Sequence, residues 1–310
     1  MSSRRGACQA PRQSSVLTLR GVFLPLATPF DAAGGIYWPK LKYNLGRWNQ
    51  TGLAGYVVCG PVGEVAALTE DEILRLWEQV AELASPDKVL IAFVTAGSVR
   101  QAVELANRAA SLGYRAAMAQ YLGSDDRRAV GTEVQTLYYQ AIADQARIPV
   151  IVSSSAQLAA GDMTAESLAV LLNHPNIVGI EDSSGDLEEL VKTTAAIRPA
   201  FQVLAGAART PYAALRAGAA GAVVPLANAV PLATLAVWEA ARAGDHEAAR
   251  DWHDRIADAA RLVTTEYGIP GLKYAMDLEG YYGGRPRLPL IPPRPEARRR
   301  IKQAFQSLKG

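Results

Sequence analysis

"NIVGIEDSSGD", residues 176–186, runs from the apolar stretch Ile177 to Ile180 into two adjacent carboxylates, Glu181 and Asp182, and then a Ser-Ser-Gly turn. A short apolar run bounded by turn residues reads as a strand buried on both faces. Side chains alternate along a strand, so one acid is predicted to share a face with Ile177 and Gly179 while the other points away. Whether an acid belongs at the end of such a strand depends on the architecture around it.

Seven further runs of the same kind occur: "VFLPLAT" (22–28), "GYVVCG" (55–60), "VLIAFVT" (89–95), "AAMAQ" (116–120), "VIVSS" (150–154), "QVLAG" (202–206) and "GAVVP" (221–225). Between the eight runs lie amphipathic stretches of helical length at 39–50, 69–84, 98–112, 132–145, 164–173, 186–197 and 210–217. Thr69 with Glu72 three residues on forms a capping box, and Gly52, Gly113 and Gly218 sit where helices should stop. Apolar strands alternating with helices predict a parallel sheet covered by helices, because each crossover lays a helix over the sheet. Eight of them predict an α/β fold, a (β/α)8 TIM barrel over residues 21–228. No G-x-G-x-x-G opens a helix after the first strand, which counts against a dinucleotide fold. After residue 228 the pattern turns helical only, at 231–243, 246–263, 270–280 and 294–308, so a C-terminal helical domain is expected over 229–310. The Arg- and Ser-rich residues 1–20 are expected to be a disordered leader.

The composition excludes several classes of function. With 32 basic and 30 acidic residues mixed along 310, the formal charge of +2 advertises neither nucleic acid nor an anionic membrane as partner. No stretch is long and apolar enough to span a bilayer. Cys8 and Cys59 lie far apart in unlike surroundings, which points to a reducing, cytoplasmic setting and no disulfide. His174, His246 and His253 have no zinc-ligand spacing, and neither a metal nor a cofactor is expected.

In a barrel of this kind, chemistry sits at the C-terminal ends of the strands. Those ends supply Thr28, the loop Gly60 to Glu64 with Pro61 and Val62, Thr95, Gln120, Tyr121, Ser153, Ser154, Ser155, Glu181 to Ser184, Gly206 and Val223 to Pro225. Each has a bland reading too. Glu181 can be a structural acid held by the serines or by backbone. Glu64 reads as a loop brace, Cys59 as core, Tyr281 and Tyr282 as packing, and the serines as filling space or binding a polar ligand.

Several motifs together resemble the pyruvate-dependent class I aldolases typified by dihydrodipicolinate synthase and N-acetylneuraminate lyase. They are "ATPF" (27–30), "GPVGE" (60–64) followed by "LTEDE" (68–72), "IPVIV" (148–152), "PNIVGIEDSSGD" (175–186), "GAAGAVVPLANAVP" (218–231) and the tail "GIPGLKYAMDLEGYYGGRPRLPL" (268–290). The resemblance implies the same barrel with a helical tail, commonly assembled as a tetramer of two tight dimers. It also implies a chemistry whose groups are absent here. The family's Schiff-base lysine on the sixth strand corresponds to Glu181, and only an amine can form the imine that serves as electron sink. Its fifth-strand Tyr-Asn-hydrophobic-Pro corresponds to Ser153, Ser154, Ser155 and Ala156, and its substrate-anchoring arginine falls near Leu158. Its Gly-Thr-Thr-Gly-Glu loop corresponds to Gly60, Pro61, Val62, Gly63 and Glu64, where proline lacks an N–H and valine a hydroxyl. Its fourth-strand Pro-Tyr-Tyr corresponds to Gln120, Tyr121 and Leu122. Of the seven lysines, none ends a barrel strand, and Lys273 matches a lysine of the family's own tail.

Three readings follow. The chain is a non-catalytic binding or regulatory homologue with a small polar ligand in the barrel mouth, assembled as a dimer or tetramer. Alternatively it is an enzyme using Glu181 as general acid or base, with Ser153 beside it, on a small polar substrate without an imine. A third reading builds a metal site from Glu181, Glu64 and serine or backbone oxygens.

Overall fold

A computed structural model describes residues 17–121, 132–154, 165–183, 191–192, 194–195, 198–206 and 211–309. The eight runs form β1 (Gly21–Pro25), β2 (Gly55–Val58), β3 (Val89–Ala96), β4 (Ala116–Tyr121), β5 (Val150–Ser154), β6 (Ile177–Asp182), β7 (Gln202–Ala205) and β8 (Gly221–Val223). They close in sequence order, each parallel to its neighbours, with β8 pairing back to β1. This is the (β/α)8 barrel the alternation predicts.

The helices are α1 (Trp38–Trp48), α2 (Glu70–Leu83), α3 (Val99–Ser111), α4 (Thr132–Gln145), α5 (Ala165–Asn173), α6 (Pro211–Arg216), α7 (Pro231–Arg242), α8 (His246–Arg261), α9 (Gly268–Leu278) and α10 (Pro295–Gln306). The helix expected over 186–197 falls mostly outside the described residues. Thr69 and Glu72 make the reciprocal capping box: the Thr69 hydroxyl accepts from Glu72 N at 3.3 Å and the Glu72 carboxylate accepts from Thr69 N at 3.0 Å. Gly113 and Gly218 follow α3 and α6 in the left-handed region, with φ of 86° at both, as helix stops require. Gly52 does not act this way. Helix α1 ends four residues earlier at Trp48, the following Asn49 stays right-handed, and Gly52 instead packs near Leu235.

Two apolar clusters divide the molecule. Phe23, Val57, Ile91, Met118, Ile151 and Leu204 fill the barrel interior, while the larger cluster lies between the strands and the surrounding helices. The interior cluster begins before β1: Leu19 is fully buried in it, and its N–H donates to the Gln202 side-chain oxygen at 2.6 Å. This corrects the expected leader boundary at residue 20. Burying one leucine is worth about 2 kcal/mol, and Gln202 satisfies the backbone that comes with it, so the chain is held from this point.

The alternation in β6 also departs from expectation. Val150 pairs with Ile177 but Ile151 pairs with Gly179, so β6 carries one extra residue at Val178. A bulge of this kind breaks the two-residue period. Ile177 and Ile180 therefore both join the outer cluster, whereas Val178 packs against the interior one. Past the bulge Gly179 and Glu181 share the inward face, and Glu181 reaches the mouth although Ile177 does not accompany it.

A candidate ligand site at the barrel mouth

Neighbouring parallel strands lie about 4.8 Å apart, so residues in register can touch through their side chains. Ser153 on β5 is in register with Glu181 on β6. The Ser153 hydroxyl donates to Glu181 Oε2 at 2.6 Å, and the Ser183 hydroxyl, just past the strand, donates to Oε1 at 2.9 Å. Glu181 is 7% exposed. Burial pushes its carboxyl from 4.5 up to about 6; the two serines oppose the rise and the neighbouring Asp182 charge adds to it.

Gly206, at the end of β7, makes this arrangement possible. Its N–H donates to Asp182 O at 2.7 Å, which holds β7 against β6. A Cβ at Gly206 would lie 1.4 Å from Glu181 Oε1 and 2.5 Å from the Ser183 hydroxyl. The carboxylate thus occupies the volume that any side chain at 206 would need.

Glu181, Ser153 and Ser183 form one wall of a cavity of about 160 Å³. Gln120 is its other polar side chain; Pro61, Val62, Phe93, Met118 and Val223 supply much of the apolar remainder. A space of this size suits a molecule of about five or six heavy atoms. Glu181 is the one charged side chain lining it among the described residues. The expected mouth residues Pro61, Val62, Ser153, Glu181 and Val223 do converge, and Gly206 backs Glu181. Ser154 lies in β5 opposite Asp182, with its side chain outside the description, and Ser155 lies outside the described residues.

Other expected mouth residues have different tasks. Thr28 donates its hydroxyl to Gly63 O at 2.7 Å and braces the loop after β2. Tyr121 packs edge-on against Tyr138 with centroids 5.0 Å apart. Cys59 is core, 1% exposed, and burial raises its thiol far above the ordinary range, so it is no nucleophile at neutral pH. Tyr281 stacks on Trp48 at 5.5 Å, and the Tyr282 hydroxyl donates to Phe30 O at 3.1 Å; both are packing residues.

Tyr139 on α4 was not legible as part of this region. Its hydroxyl donates to Ser153 O and accepts from Tyr121 N, each at 3.2 Å, and so joins the ends of β4 and β5 from behind. Phe93 and Met118 were also missed as lining residues. They lie two positions before the expected mouth residues Thr95 and Gln120, on the same faces, and strand alternation carries that information.

Glu64 sits apart from the cavity. Its Oε1 pairs with the Lys273 ammonium, and its Oε2 accepts from Arg287 N at 2.8 Å. The Phe30 ring contacts both cations, its centroid 4.4 Å from Lys273 Nζ and 4.3 Å from the Arg287 guanidinium. Burial pushes the Lys273 ammonium below its ordinary range, and the Glu64 charge opposes this. Glu64 is therefore the expected brace, clasping the β2 loop to the helical tail. A metal site that needs both Glu64 and Glu181 loses its first ligand to Lys273.

A family model described as the dihydrodipicolinate synthetase family matches residues 18–308. A 4-hydroxy-tetrahydrodipicolinate synthase from Xanthomonas campestris pv. campestris is 32% identical over 279 residues, covering 89% of this chain and 90% of its own length. One from an Exiguobacterium species is 29% identical over 293 residues, covering 92% and 97%. Among solved structures, dihydrodipicolinate synthase from Thermotoga maritima superposes with a TM-score of 0.87 at 20% identity, covering 94% of this chain and 99% of its own. One from Bacillus anthracis does so with 0.85 at 22%, covering 93% and 98%. At these identities the structural matches speak for the fold. No helix of the described residues is long and apolar enough to cross a membrane.

Proposed function

The chain belongs to the dihydrodipicolinate synthetase family, and from that premise we propose that it is a member without pyruvate imine chemistry, whose barrel mouth binds a small polar ligand. The relatives named above carry a synthase name, and this chain shares their fold; the reading takes its mouth to carry different groups. One observation carries the reading: the strand position that would present the amine holds Glu181, locked by Ser153 and Ser183, and no lysine lines the cavity among the described residues. A carboxylate cannot form the imine. Ser153 stands where the resemblance expects a proton-relaying tyrosine, and a serine hydroxyl is a much weaker acid than a phenol. The proposal takes the chain to be a cytoplasmic homo-oligomer with a binding or regulatory role. The test is to incubate the full chain with pyruvate and borohydride and measure the intact mass. An unchanged mass is expected; a stable pyruvyl adduct on any lysine overturns the proposal.

A second reading has one observation in its favour. A carboxyl group held near pH 6 is poised to take and return a proton at neutral pH, as a general acid or base for enolisation, dehydration or an aldol cleavage without an imine does. Glu181 would then be the group that moves the proton, and Ser153 would orient it. Turnover lost in Glu181→Gln with the fold intact would favour this reading over pure binding.

A further inference from the structure

Resting on that reading of the mouth, the geometry points to a ligand class: a compact apolar amine, bound as its ammonium ion against Glu181, in place of a carboxylate-bearing oxo acid. Three features of the cavity carry this. The first is uncompensated charge. Glu181 is buried, its two oxygens accept one hydroxyl hydrogen bond each, and no cationic side chain lines the space among the described residues. A carboxylate has about four acceptor sites, so donors beyond the serines can still be accommodated. A buried carboxylate is costly unless a positive partner reaches it. The same chain shows the usual solution a short way off, where Glu64 is closed by Lys273. The groups facing Glu181 make the contrast sharper: Asp182 on its own strand is another acid, Ser153 and Ser183 are neutral, and Tyr139 on α4 is a neutral phenol at the back of β5.

The second feature is the opposing wall. Pro61 has no N–H to offer and Val62 has no hydroxyl, so of these two residues only the backbone N–H of Val62 is left to meet an anion. An entering carboxylate would meet a largely apolar wall with few donors on one side and a like charge on the other. The third feature is size. At about 160 Å³, lined by Val62, Phe93, Met118 and Val223, the space matches a short alkyl chain with a single polar head. An ammonium head on such a chain makes a charge-assisted hydrogen bond to Glu181 and leaves its hydrocarbon part to the apolar walls.

Four probes of matched bulk test this by calorimetry at pH 7.5: isobutylamine, isobutanol, isobutyrate and pyruvate. The amine is expected to bind about tenfold more tightly than the alcohol, the difference between a charge-assisted and a neutral hydrogen bond, with both anions weakest. Glu181→Gln should bring the amine down to the level of the alcohol and leave the alcohol itself unchanged. In the native chain, lowering the pH from 7.5 to 5 protonates Glu181 and should erase the preference without any substitution. The inference is overturned if an anion or the alcohol binds best, if the amine does not bind, or if its affinity survives both Glu181→Gln and the pH change. Borohydride trapping of a pyruvyl adduct would instead sink the proposed absence of imine chemistry, so the two failures are told apart.

Discussion

Two buried carboxylates, Glu64 and Glu181, sit at the same end of this barrel and are stabilised in opposite ways. Glu64 has a full positive partner in Lys273 and a backbone donor from Arg287, and the Phe30 ring contacts both cations. Glu181 has two hydroxyl groups, an acidic neighbour and a cavity. The first arrangement is closed and explains why the tail stays on the barrel. Among the described residues no cationic side chain lines the cavity beside the second. A paired buried acid serves the fold, whereas an acid left beside an empty space costs stability and so calls for a functional account. Breaking each arrangement in turn should therefore give different results.

The largest effect is expected at the clasp. Lys273→Ala would leave the Glu64 charge buried with no counterion, and losing one partner of such a pair costs about 3–5 kcal/mol. Urea denaturation of the native chain and the variant measures it. The double variant Glu64→Gln with Lys273→Met should recover most of the loss, because both charges are then gone. A loss below about 1 kcal/mol in Lys273→Ala would mean that the two acids are equally open and would erase the contrast.

The two regions also differed in how far the sequence alone revealed them. The eight strands, their order and the Thr69 cap were legible, because hydrophobic period and capping are local properties of the chain. Glu181 was legible as a mouth acid for the same reason, since it ends a strand. The route by which it gets there was not. The bulge at Val178 is set by pairing across to Ile151, a contact that no single-strand pattern contains. Glu64 was readable as a brace from its motif, yet its partner Lys273 comes from the distant tail helix α9 and was matched only to the family's own lysine. Leu19 was assigned to the leader because its neighbours are polar, and only the closed barrel floor gives it a place to be buried. Tyr139 reaches Ser153 from the outer helix layer, and helical periodicity marks such a residue as core without saying which strand end it holds.

A smaller and pH-dependent effect is expected at Glu181. Its carboxyl sits at about 6 in the folded chain against 4.5 as the ordinary value, so the folded state holds the proton more tightly than the unfolded one. Below pH 4.5 both states are protonated and the group costs nothing. As the pH rises from 4.5 through 6 the unfolded chain gains by ionising first, and stability falls by about 2 kcal/mol, a penalty fully present above pH 6. Glu181→Gln removes the titration. Its stability relative to the native chain should thus be about 2 kcal/mol more favourable at pH 7.5 than at pH 4, as read from paired denaturation curves. A pH-independent difference would show that Glu181 is as well compensated as Glu64.

The smallest effect sharpens where the clasp ends. Glu72 completes the capping box with Thr69 and also binds Arg287, whose N–H is held by Glu64. The hydrogen bond from Arg287 is the main cause that holds the Glu72 carboxyl below its ordinary range. The start of α2 is therefore the outer edge of the same network. Thr69→Ala removes the oxygen that accepts from Glu72 N and leaves the Glu72–Arg287 pair in place, so it should cost about 1 kcal/mol, the usual worth of a helix cap. Chemical denaturation measures that loss, and calorimetry with isobutylamine measures the mouth. If the closed and open regions are energetically separate, the affinity is unchanged while the stability falls. A matching loss of affinity would mean that the clasp shapes the cavity through Pro61 and Val62, which line it from the same loop that carries Glu64.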